Sequence, residues 1–215
     1  MKKISKILAA NRSEIAIRIF RAAEESGIKT AAIYSKEDRF AIHRFKTDES
    51  YLVGEGKGPI QAYLDIDSII KIAKNAKVDA IHPGYGFLSE SPELAEQCEK
   101  NDITFIGPSK EILKRFGNKT EAKKVAQDAD VKTVPSVLVS KENIKIVQKE
   151  VDKIGYPVIV KASWGGGGRG MRVVHSSKEL IDQITMAQSE SLKAFGKDEV
   201  FIEKFLEDAA HIEVQ

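Results

Sequence analysis

Four consecutive glycines lie between basic residues in the stretch from Lys161 to Arg172, which reads KASWGGGGRGMR. Ordering a glycine costs more backbone entropy than ordering any other residue, so such a run is expected where the backbone approaches a ligand closely or where a lid moves. Exposed backbone amides in such a loop bind phosphate oxygens, and Lys161, Arg169 and Arg172 add positive charge. We therefore predict a phosphate-binding loop, with a surface hairpin that binds nothing as the alternative.

The spacing of Gly165, Gly167 and Gly170 also satisfies the G-x-G-x-x-G fingerprint of dinucleotide-binding proteins. That fingerprint requires a helix directly after the loop, so that the pyrophosphate meets the amino terminus of the helix. Here residues 171–174, MRVV, predict a strand instead. A Walker loop is excluded because Gly170 is followed by Met and Arg rather than by Lys and Ser or Thr. The pattern favours a hairpin that closes over the phosphates of a nucleotide.

An acidic and a basic residue, Glu203 and Lys204, precede apolar residues some thirty positions after the glycines. This pattern suits a strand that binds adenine through backbone groups and one carboxylate, against an apolar wall. Taken alone, it fits equally well an edge strand with a solvated ion pair. The neighbouring glycine loop favours the nucleotide-binding interpretation.

The stretch HPGYGFLSE at residues 82–90 places a proline and two glycines directly after a predicted buried strand. We expect Tyr85 at the ligand edge of the sheet, with its hydroxyl free to form a hydrogen bond. The alternative is helix-entry chemistry, with Ser89 as the cap and Pro92 in the first turn. The two interpretations are compatible.

Strands and helices alternate over the first hundred residues. The sequence predicts strands at residues 4–10, 30–34, 78–81 and 103–106, a helix capped by Ser13 and closed by Gly27, and helices at residues 66–75 and 92–100. Strands separated by helices of this length indicate βαβ units and a parallel sheet covered on both faces. Ligands of such sheets bind at the carboxyl ends of strands, where residues 11–13 and 82–86 form loops.

The pattern changes in the second half of the chain. The sequence predicts helices at residues 109–116 with Ser109 as cap, 120–129, 143–154, and from a Ser176 or Ser177 cap to residue 192, with strands at residues 136–139, 157–162, 171–174 and 199–205. These elements indicate an α+β module with an antiparallel hairpin, and a boundary between residues 108 and 135. Lys119 follows a Gly-Asn interruption and is either a second phosphate contact or a solvated lysine. Residues 211–215, HIEVQ, alternate like a strand that has just begun, so we expect a truncated chain.

The composition is that of a globular protein: 215 residues, 42% hydrophobic and 31% charged, with a net charge of +2. Scattered basic residues argue against a nucleic-acid partner. The sequence has no apolar run of bilayer-spanning length, and the apolar stretch at residues 7–10 is too short for the core of a signal peptide, so we expect neither a membrane span nor a signal peptide. The single cysteine, Cys98, is expected to be a packing residue, and the four histidines lack metal-ligand spacing. We predict a cytoplasmic protein with no membrane contact.

Together these stretches closely resemble the biotin carboxylase component of biotin-dependent carboxylases, which belongs to the ATP-grasp superfamily. The resemblance covers the whole chain, and the matching segments are residues 7–16, 79–90, 105–109, 161–172 and 211–215. Within the family, residues 54–64 look more like pyruvate carboxylase than like the separate subunit of acetyl-CoA carboxylase.

The resemblance implies an α/β fold in two parts. A parallel-sheet, Rossmann-like (pre-ATP-grasp) domain would occupy residues 1–115, and the amino-terminal α+β part of an ATP-grasp domain, truncated, would occupy residues 116–215. A lid subdomain would lie at about residues 135–203.

The resemblance also implies a reaction. MgATP would phosphorylate bicarbonate to carboxyphosphate, and the carbon dioxide released would carboxylate biotin on a carrier domain. A carboxyltransferase domain would then pass the carboxyl group to pyruvate, giving oxaloacetate, in an enzyme that is a homo-oligomer. The residues implied to contact ATP are Lys119, Lys161, Gly165, Gly166, Gly167, Gly168, Arg169, Gly170, Met171, Glu203, Lys204, Leu206 and His211. Tyr85 and Gly86 would face biotin.

Two departures from the family pattern qualify these expectations. Ala210 stands where the family usually has an arginine before the equivalent of His211. The portion of the family that supplies the Mg²⁺ ligands and most catalytic residues would lie after Gln215, so we expect the chain alone to be inactive. The alternatives are a biotin carboxylase subunit of an acyl-CoA carboxylase, and a fragment that binds nucleotide or forms dimers without catalysis.

Overall fold

The structure, a computed structural model, describes residues 3–117, 119–139, 144–163, 171–196, 198–210 and 212. The chain divides into two compact units, and the division falls directly after Gly117. Each unit has its own sheet and its own apolar core.

The first unit is a parallel α/β domain. Its elements are β1 (Lys6–Ala9), α1 (Ser13–Glu25), β2 (Lys29–Tyr34), two short 3₁₀ helices (Glu37–Phe40 and Ile42–Phe45), β3 (Glu49–Leu52), α2 (Pro59–Tyr63), α3 (Ile66–Asn75), β4 (Ala80–His82), α4 (Pro92–Lys100), β5 (Thr104–Phe105) and α5 (Lys110–Phe116). The strands pair in parallel in the order β3-β2-β1-β4-β5. The parallel sheet predicted from the sequence is confirmed.

Both faces of this sheet are buried, because successive residues of a strand point to opposite faces. Ile7 and Ala9 of β1 pack in one apolar cluster with the buried face of α1. Leu8 lies between them in sequence and packs in a second cluster, which includes Ile69 of α3 and Leu94 of α4. The two clusters fix the direction of β1 and therefore the position of the loop that follows it.

The second unit contains an antiparallel sheet with two helices packed against one face. Its elements are α6 (Lys119–Asp128), β6 (Ser136–Val139), α7 (Ile144–Ile154), β7 (Val158–Ala162), β8 (Arg172–Val174), α8 (Leu180–Phe195) and β9 (Val200–Lys204). The strands pair in the order β6-β9-β7-β8. The predicted antiparallel hairpin is confirmed, since β7 and β8 pair with Val158 opposite Val174.

Three predicted helix caps are wrong. Arg12, not Ser13, is the cap of α1, because the helix begins at Ser13 itself, and Arg12 makes no side-chain capping hydrogen bond. Ser91, not Ser89, caps α4, and its hydroxyl accepts the backbone N–H of Leu94 at 3.1 Å.

The third wrong cap belongs to α8, which begins after Glu179 rather than after Ser176 or Ser177. The Glu179 carboxylate accepts the backbone N–H groups of His175 and Ser176 at 2.7 and 3.0 Å, so it organises the preceding turn in place of a serine cap. The predicted cap of α5 by Ser109 is confirmed, with Ile112 as the donor at 3.4 Å.

Candidate functional site

The candidate site in the second unit lies on the sheet face opposite the apolar core. Val160 of β7 and Ile202 of β9 are fully buried in the core beneath α7 and α8. The residues that follow them, Lys161 and Glu203, therefore point to the other face. β9 lies between β6 and β7, so Glu203 is on an interior strand. The edge-strand alternative for the Glu203–Lys204 pair is excluded.

The carboxylate of Glu203 forms ion pairs with the ammonium groups of two lysines from different elements. Lys161 Nζ lies 2.6 Å from Glu203 Oε2, and Lys123 Nζ of α6 contacts the other oxygen, Oε1. The exposed fractions of these side chains are 11% for Glu203, 23% for Lys123 and 30% for Lys161. We call these three residues the lysine–glutamate cluster. It holds two positive charges and one negative charge at the edge of solvent.

The electrostatics of the lysine–glutamate cluster favour an ionised carboxylate. Burial of Glu203 opposes its ionisation and by itself would raise its pKa. The hydrogen bonds and charges of Lys123 and Lys161 outweigh that effect, and the pKa of Glu203 lies below its ordinary value. Glu203 is therefore charged at neutral pH, and the cluster carries a net positive charge that suits a phosphate group.

Phe201 provides an apolar wall beside these charges. It is buried, lies on the same face of β9 as Glu203, and stands opposite Lys161 in the strand register. The Lys123 ammonium lies 5.5 Å from the centre of its ring, within the range of a cation–π interaction. The arrangement therefore combines cations, one carboxylate and an aromatic surface.

The side chain of Lys204, unlike that of Lys161, forms hydrogen bonds with backbone carbonyl groups. Its Nζ donates to the carbonyl oxygens of Gly155 and Tyr156 at 3.1 and 2.9 Å, and its backbone N–H donates to Pro135 at 3.0 Å. These bonds occupy the ammonium group. An adenine contact made by Lys204 would therefore use its backbone carbonyl group rather than its backbone N–H or its side-chain charge.

Arg172 corrects one expectation from the sequence. It pairs in register with Val160, so it lies on the core face of the sheet, where its guanidinium forms an ion pair with Glu190 of α8. It adds no charge to the face that carries Lys161. Side chains alternate between the two faces along β8, and this alternation decides the orientation of Arg172. The residue type alone predicted a positive charge but did not assign it to a face of the sheet.

The other predicted nucleotide contacts are distributed as follows. Met171 and Leu206 are exposed, and Lys119 is the first residue of α6. Gly165, Gly166, Gly167, Gly168, Arg169, Gly170 and His211 lie outside the described residues.

The predicted biotin-facing loop follows β4 in the first unit. Tyr85 is exposed, but its hydroxyl donates to the Glu14 carboxylate of α1, so the prediction of a free hydroxyl is wrong. This hydrogen bond raises the pKa of Tyr85 and lowers that of Glu14. Gly86 follows with φ +66°. No local pattern indicated that Glu14 would meet this loop, because the two are brought together by the parallel pairing of β1 and β4.

Asn11 fixes the same loop from the end of β1. Its side-chain amide donates to the carbonyl oxygens of Pro83 and Tyr85 at 2.7 and 2.8 Å, and its Oδ1 accepts the N–H of Arg12 at 2.9 Å. Asn11 is 3% exposed. Gly84 packs so closely that an added Cβ would lie 2.8 Å from the Asn11 amide nitrogen. The backbone of the loop is thus held by neutral hydrogen bonds and close packing.

A charged and aromatic cluster lies next to Asn11, and it was not predicted from the sequence. Arg12 Nη1 lies 3.2 Å from Asp38 Oδ2, which also accepts the Tyr63 hydroxyl at 2.8 Å. The Arg12 guanidinium stands 5.6 Å from the ring centres of Tyr63 and Phe87, which stack on each other. Burial and the Asp38 bond raise the pKa of Tyr63. These contacts orient Arg12 at the carboxyl edge of the sheet.

Among the described residues, no three histidine, cysteine or acidic side chains come together as a metal site. No helix in the described part of the chain has the length and apolar character needed to cross a membrane. Cys98 is buried in α4, where burial raises the pKa of its thiol to about 12, as expected for a packing residue.

Comparisons with known proteins match both units. A model of the biotin carboxylase N-terminal domain matches residues 3–113, and a model of the carbamoyl-phosphate synthase L chain ATP-binding domain matches residues 118–215. The pyruvate carboxylase of Bacillus subtilis is 54% identical and the human mitochondrial pyruvate carboxylase is 51% identical, each over 214 residues. These alignments cover 100% of this chain but 19% and 18% of the relatives. The chain spans about a fifth of the length of the curated relatives it matches.

Solved structures of biotin-dependent carboxylases are also similar to this chain. Pyruvate carboxylase of Rhizobium etli, solved with the allosteric activator acetyl coenzyme A, is 53% identical with a TM-score of 0.81, over 95% of this chain and 18% of that chain. The biotin carboxylase domain of Hydrogenobacter thermophilus 2-oxoglutarate carboxylase was solved as a dimer with MgADP, ADP and bicarbonate. It is 40% identical with a TM-score of 0.85, over 96% of this chain and 45% of that chain.

A parallel α/β unit followed by an antiparallel sheet with α7 and α8 packed against one face defines the chain as a protein of the ATP-grasp type. The chain belongs to the biotin carboxylase family, because the N-terminal domain model alone covers more than half of its residues.

Proposed function

We propose that this chain contributes part of the ATP cleft of an enzyme that carboxylates biotin, with bicarbonate as the carbon source and carboxyphosphate as the intermediate. The observation that carries the proposal is the lysine–glutamate cluster, in which Lys161 and Lys123 present positive charge on the open face of the antiparallel sheet. The match of residues 118–215 to an ATP-binding domain supports the same assignment.

In this proposal the two ends of ATP contact different groups. The phosphates bind Lys161, Lys119, Arg169 and the backbone amides of residues 165–170, and His211 lies near the ribose or phosphates. Positive charge and amide donors stabilise the negative charge that shifts among phosphate oxygens during transfer. The loop also excludes water, which matters because carboxyphosphate hydrolyses readily.

Adenine would lie against Glu203 and the backbone of Lys204 and Leu206, with Met171 close by. The two lysines use one oxygen of Glu203 each. A carboxylate has about four acceptor positions, so an adenine amino group can still donate to Glu203. Mg²⁺ would enter as the complex with ATP.

We propose Tyr85 and Gly86 as the part of the chain that faces the ureido ring of biotin. The support is the rigid loop: Asn11 holds the carbonyl groups of Pro83 and Tyr85, and Glu14 orients the Tyr85 hydroxyl. An exposed aromatic ring in a fixed position suits contact with a small flat ring.

For the complete enzyme, we propose pyruvate as the final carboxyl acceptor and oxaloacetate as the product. The support is identity of 54% and 51% to two pyruvate carboxylases. The partners would be a biotin carrier domain and a carboxyltransferase domain, in a homo-oligomer. The domain assignment that goes with this proposal is residues 1–115 and 116–215, with a lid subdomain at about residues 135–203. A cytoplasmic location stays a prediction from the sequence.

A chimera tests the proposal. Residues 1–215 of this chain would replace the equivalent residues of the Bacillus subtilis pyruvate carboxylase, which are 54% identical. We expect bicarbonate-dependent ATP cleavage by the chimera. Lys161→Met in the chimera should reduce the rate at least about a hundredfold, as expected for the loss of a group that stabilises transferring charge.

Lys124→Met is the matched control, because Lys124 is exposed on α6 next to Lys123. It should leave the rate within about twofold of the unaltered chimera, as is usual for a surface change. A folded Lys161→Met chimera that cleaves ATP as fast as the unaltered chimera would contradict the proposed role of this chain.

A further inference from the structure

The carboxylate of Glu203 carries one negative charge but contacts two ammonium groups. Lys161 from β7 and Lys123 from α6 each contact a different oxygen. The facing positions on the neighbouring strands, Ser136 of β6 and Ile159 of β7, are uncharged. Within the described residues, the charge on Glu203 is therefore balanced by these two lysines.

The two lysines are held differently. Lys123 has further contacts, since its ammonium lies 3.4 Å from the carbonyl oxygen of Val134 and over the ring of Phe201. In the part of the chain that the structure describes, Lys161 Nζ bonds only to Glu203, and its side chain is the more exposed of the two. Lys161 is therefore the lysine that can leave the carboxylate with the smaller loss of contacts.

A departure of Lys161 would create a problem if it were the only partner of Glu203. The loss of the only partner of a buried carboxylate strongly destabilises the folded protein, because burial penalises an uncompensated charge. The second lysine removes this problem, since it stays on Oε1 while Oε2 is released. Retention of one ion pair lowers the barrier to exchange of the other.

We propose that Lys123 is a positioning residue that retains Glu203 while Lys161 exchanges the carboxylate for a phosphate group of the bound nucleotide. This inference rests on the proposed function, in which Lys161 binds phosphate. Lys123 itself touches neither the phosphate nor the reacting atoms; it acts through Glu203.

The charge sharing is tested without any ligand by carbon-13 NMR titration of the Glu203 carboxylate in the 215-residue chain. In Lys161→Met, the carboxylate should stay ionised through neutral pH, because Lys123 is still present. In the double variant Lys123→Met/Lys161→Met, its pKa should rise above that of either single variant. Lys124→Met should match the native chain. A pKa that rises as far in Lys161→Met as in the double variant would overturn the proposal.

The exchange itself is tested with inorganic tripolyphosphate as the probe and nitrogen-15 NMR of the lysine ammonium groups. In the native chain we expect tripolyphosphate to shift the Lys161 signal and leave the Lys123 signal in place. Movement of Lys123 with Lys161 retained on Glu203 would contradict the proposal. This measurement needs no substitution, so it decides the question even if a variant fails to fold.

Variants then separate the positioning role from a purely structural one. Lys123→Met should weaken tripolyphosphate binding roughly fivefold, which corresponds to about 1 kcal/mol, because Lys161 is then the only partner of Glu203. Lys123→Arg should restore the affinity, since it restores the second cation. Equal affinity in the native chain and Lys123→Met would overturn the proposal. If the native chain shares the charge as described but shows no response to tripolyphosphate, the phosphate role of Lys161 in the proposed function fails instead.

Discussion

The loop after β4 in the first unit and the lysine–glutamate cluster in the second unit are stabilised in opposite ways. Asn11, itself buried, holds the loop with neutral hydrogen bonds to the carbonyl groups of Pro83 and Tyr85. The cluster consists of charges that keep some access to solvent, with Lys161 30% exposed. Buried neutral bonds allow one geometry, whereas partly exposed ion pairs can exchange partners. One region is therefore suited to presenting a fixed surface, and the other to receiving a charged ligand.

This difference predicts whether a substitution changes folding stability or ligand binding. Changes around Asn11 should lower the free energy of unfolding of the first unit, because they leave buried polar groups without partners. Changes at Lys161 should affect ligand binding far more than folding, because partly exposed ion pairs contribute little to stability. Amide hydrogen exchange measures the opening free energy of each unit separately and can test both statements.

The largest effect is expected for Asn11→Ala. The change removes the buried hydrogen bond to the Pro83 carbonyl group and the partly buried one to the Tyr85 carbonyl group, so we expect the first unit to lose about 2–4 kcal/mol of stability. Hydrogen exchange in β1 and β4 should accelerate accordingly, while the second unit keeps its protection. Asn75→Ala on the exposed side of α3 is the matched control and should change stability by less than about 0.5 kcal/mol. A loss of similar size in both variants would mean that the Asn11 bonds do not define the loop.

The second prediction compares two glycines of the same loop. Both Gly84 and Gly86 have positive φ, at +68° and +66°, so alanine is strained at either position by about 1–2 kcal/mol. Only Gly84 is closely packed, since its added Cβ would lie 2.8 Å from Asn11 Nδ2 and 3.1 Å from Ile15 Cγ1, whereas nothing lies within 4 Å of the equivalent atom at Gly86. Gly84→Ala should therefore destabilise the first unit by about 1 kcal/mol more than Gly86→Ala, through the additional packing conflict.

Urea denaturation of the two alanine variants, followed by NMR signals from the first unit, checks this difference. Equal midpoints for Gly84→Ala and Gly86→Ala would show that the loop can move away from Asn11. That result would weaken the view that the first unit presents a fixed surface.

Much of the fold could be predicted because its elements have strong local signals. The predicted bounds of α3, α4 and β6 match the structure, since their apolar residues recur at helix or strand spacing and flanking residues mark the ends. By contrast, β3 and α2 were missed. β3 is a short edge strand with a polar start, held by pairing with β2, and α2 is a five-residue helix. Tertiary contacts, rather than local pattern, determine both.

The candidate site could be predicted only in part. The types and spacing of Lys161 and Glu203 indicated phosphate and adenine chemistry, but not that the two side chains pair with each other. Lys123 carried no signal, because it stands beside Lys124 in a lysine pair and only the packing of α6 decides which of the two turns inward. Glu14 and Asp38 were missed for the same reason, since their partners are distant in sequence.

The third prediction concerns Lys161→Met in the 215-residue chain. We expect the opening free energy of the second unit to change by less than about 1 kcal/mol, because the ion pair is partly exposed and Lys123 still neutralises Glu203. Binding of tripolyphosphate should weaken roughly tenfold, which corresponds to about 1.4 kcal/mol. NMR titration and hydrogen exchange on the same samples give both numbers. A variant that loses folding stability but keeps its affinity would reverse the comparison between the two units.

The smallest effect is expected from pH and concerns His43, a fully buried residue of the first unit whose Nε2 lies 3.1 Å from the Ile33 carbonyl oxygen. Burial lowers the pKa of His43 below its ordinary value of 6.5, so the folded unit holds the neutral ring. The unfolded chain takes up the proton first as pH falls, and stability present above pH 6.5 is lost below it. His43→Gln keeps an amide donor for Ile33 but cannot titrate in this range.

From about pH 7.5 to about pH 5.5, the native first unit should therefore lose up to about 1 kcal/mol more than the first unit of His43→Gln. The same change at His175, an exposed histidine of the second unit, controls for the loss of a histidine. The second unit should respond at lower pH, because the pKa of its buried carboxylate, Glu203, lies below the ordinary 4.5. The contribution of ionised Glu203 to stability is therefore lost only as the pH falls from 4.5 through the lowered pKa. Loss of stability in both units over the same pH range would contradict the distinction between the neutral buried groups of the first unit and the charged cluster of the second. Two separate pH ranges, resolved by hydrogen exchange, would sharpen that distinction.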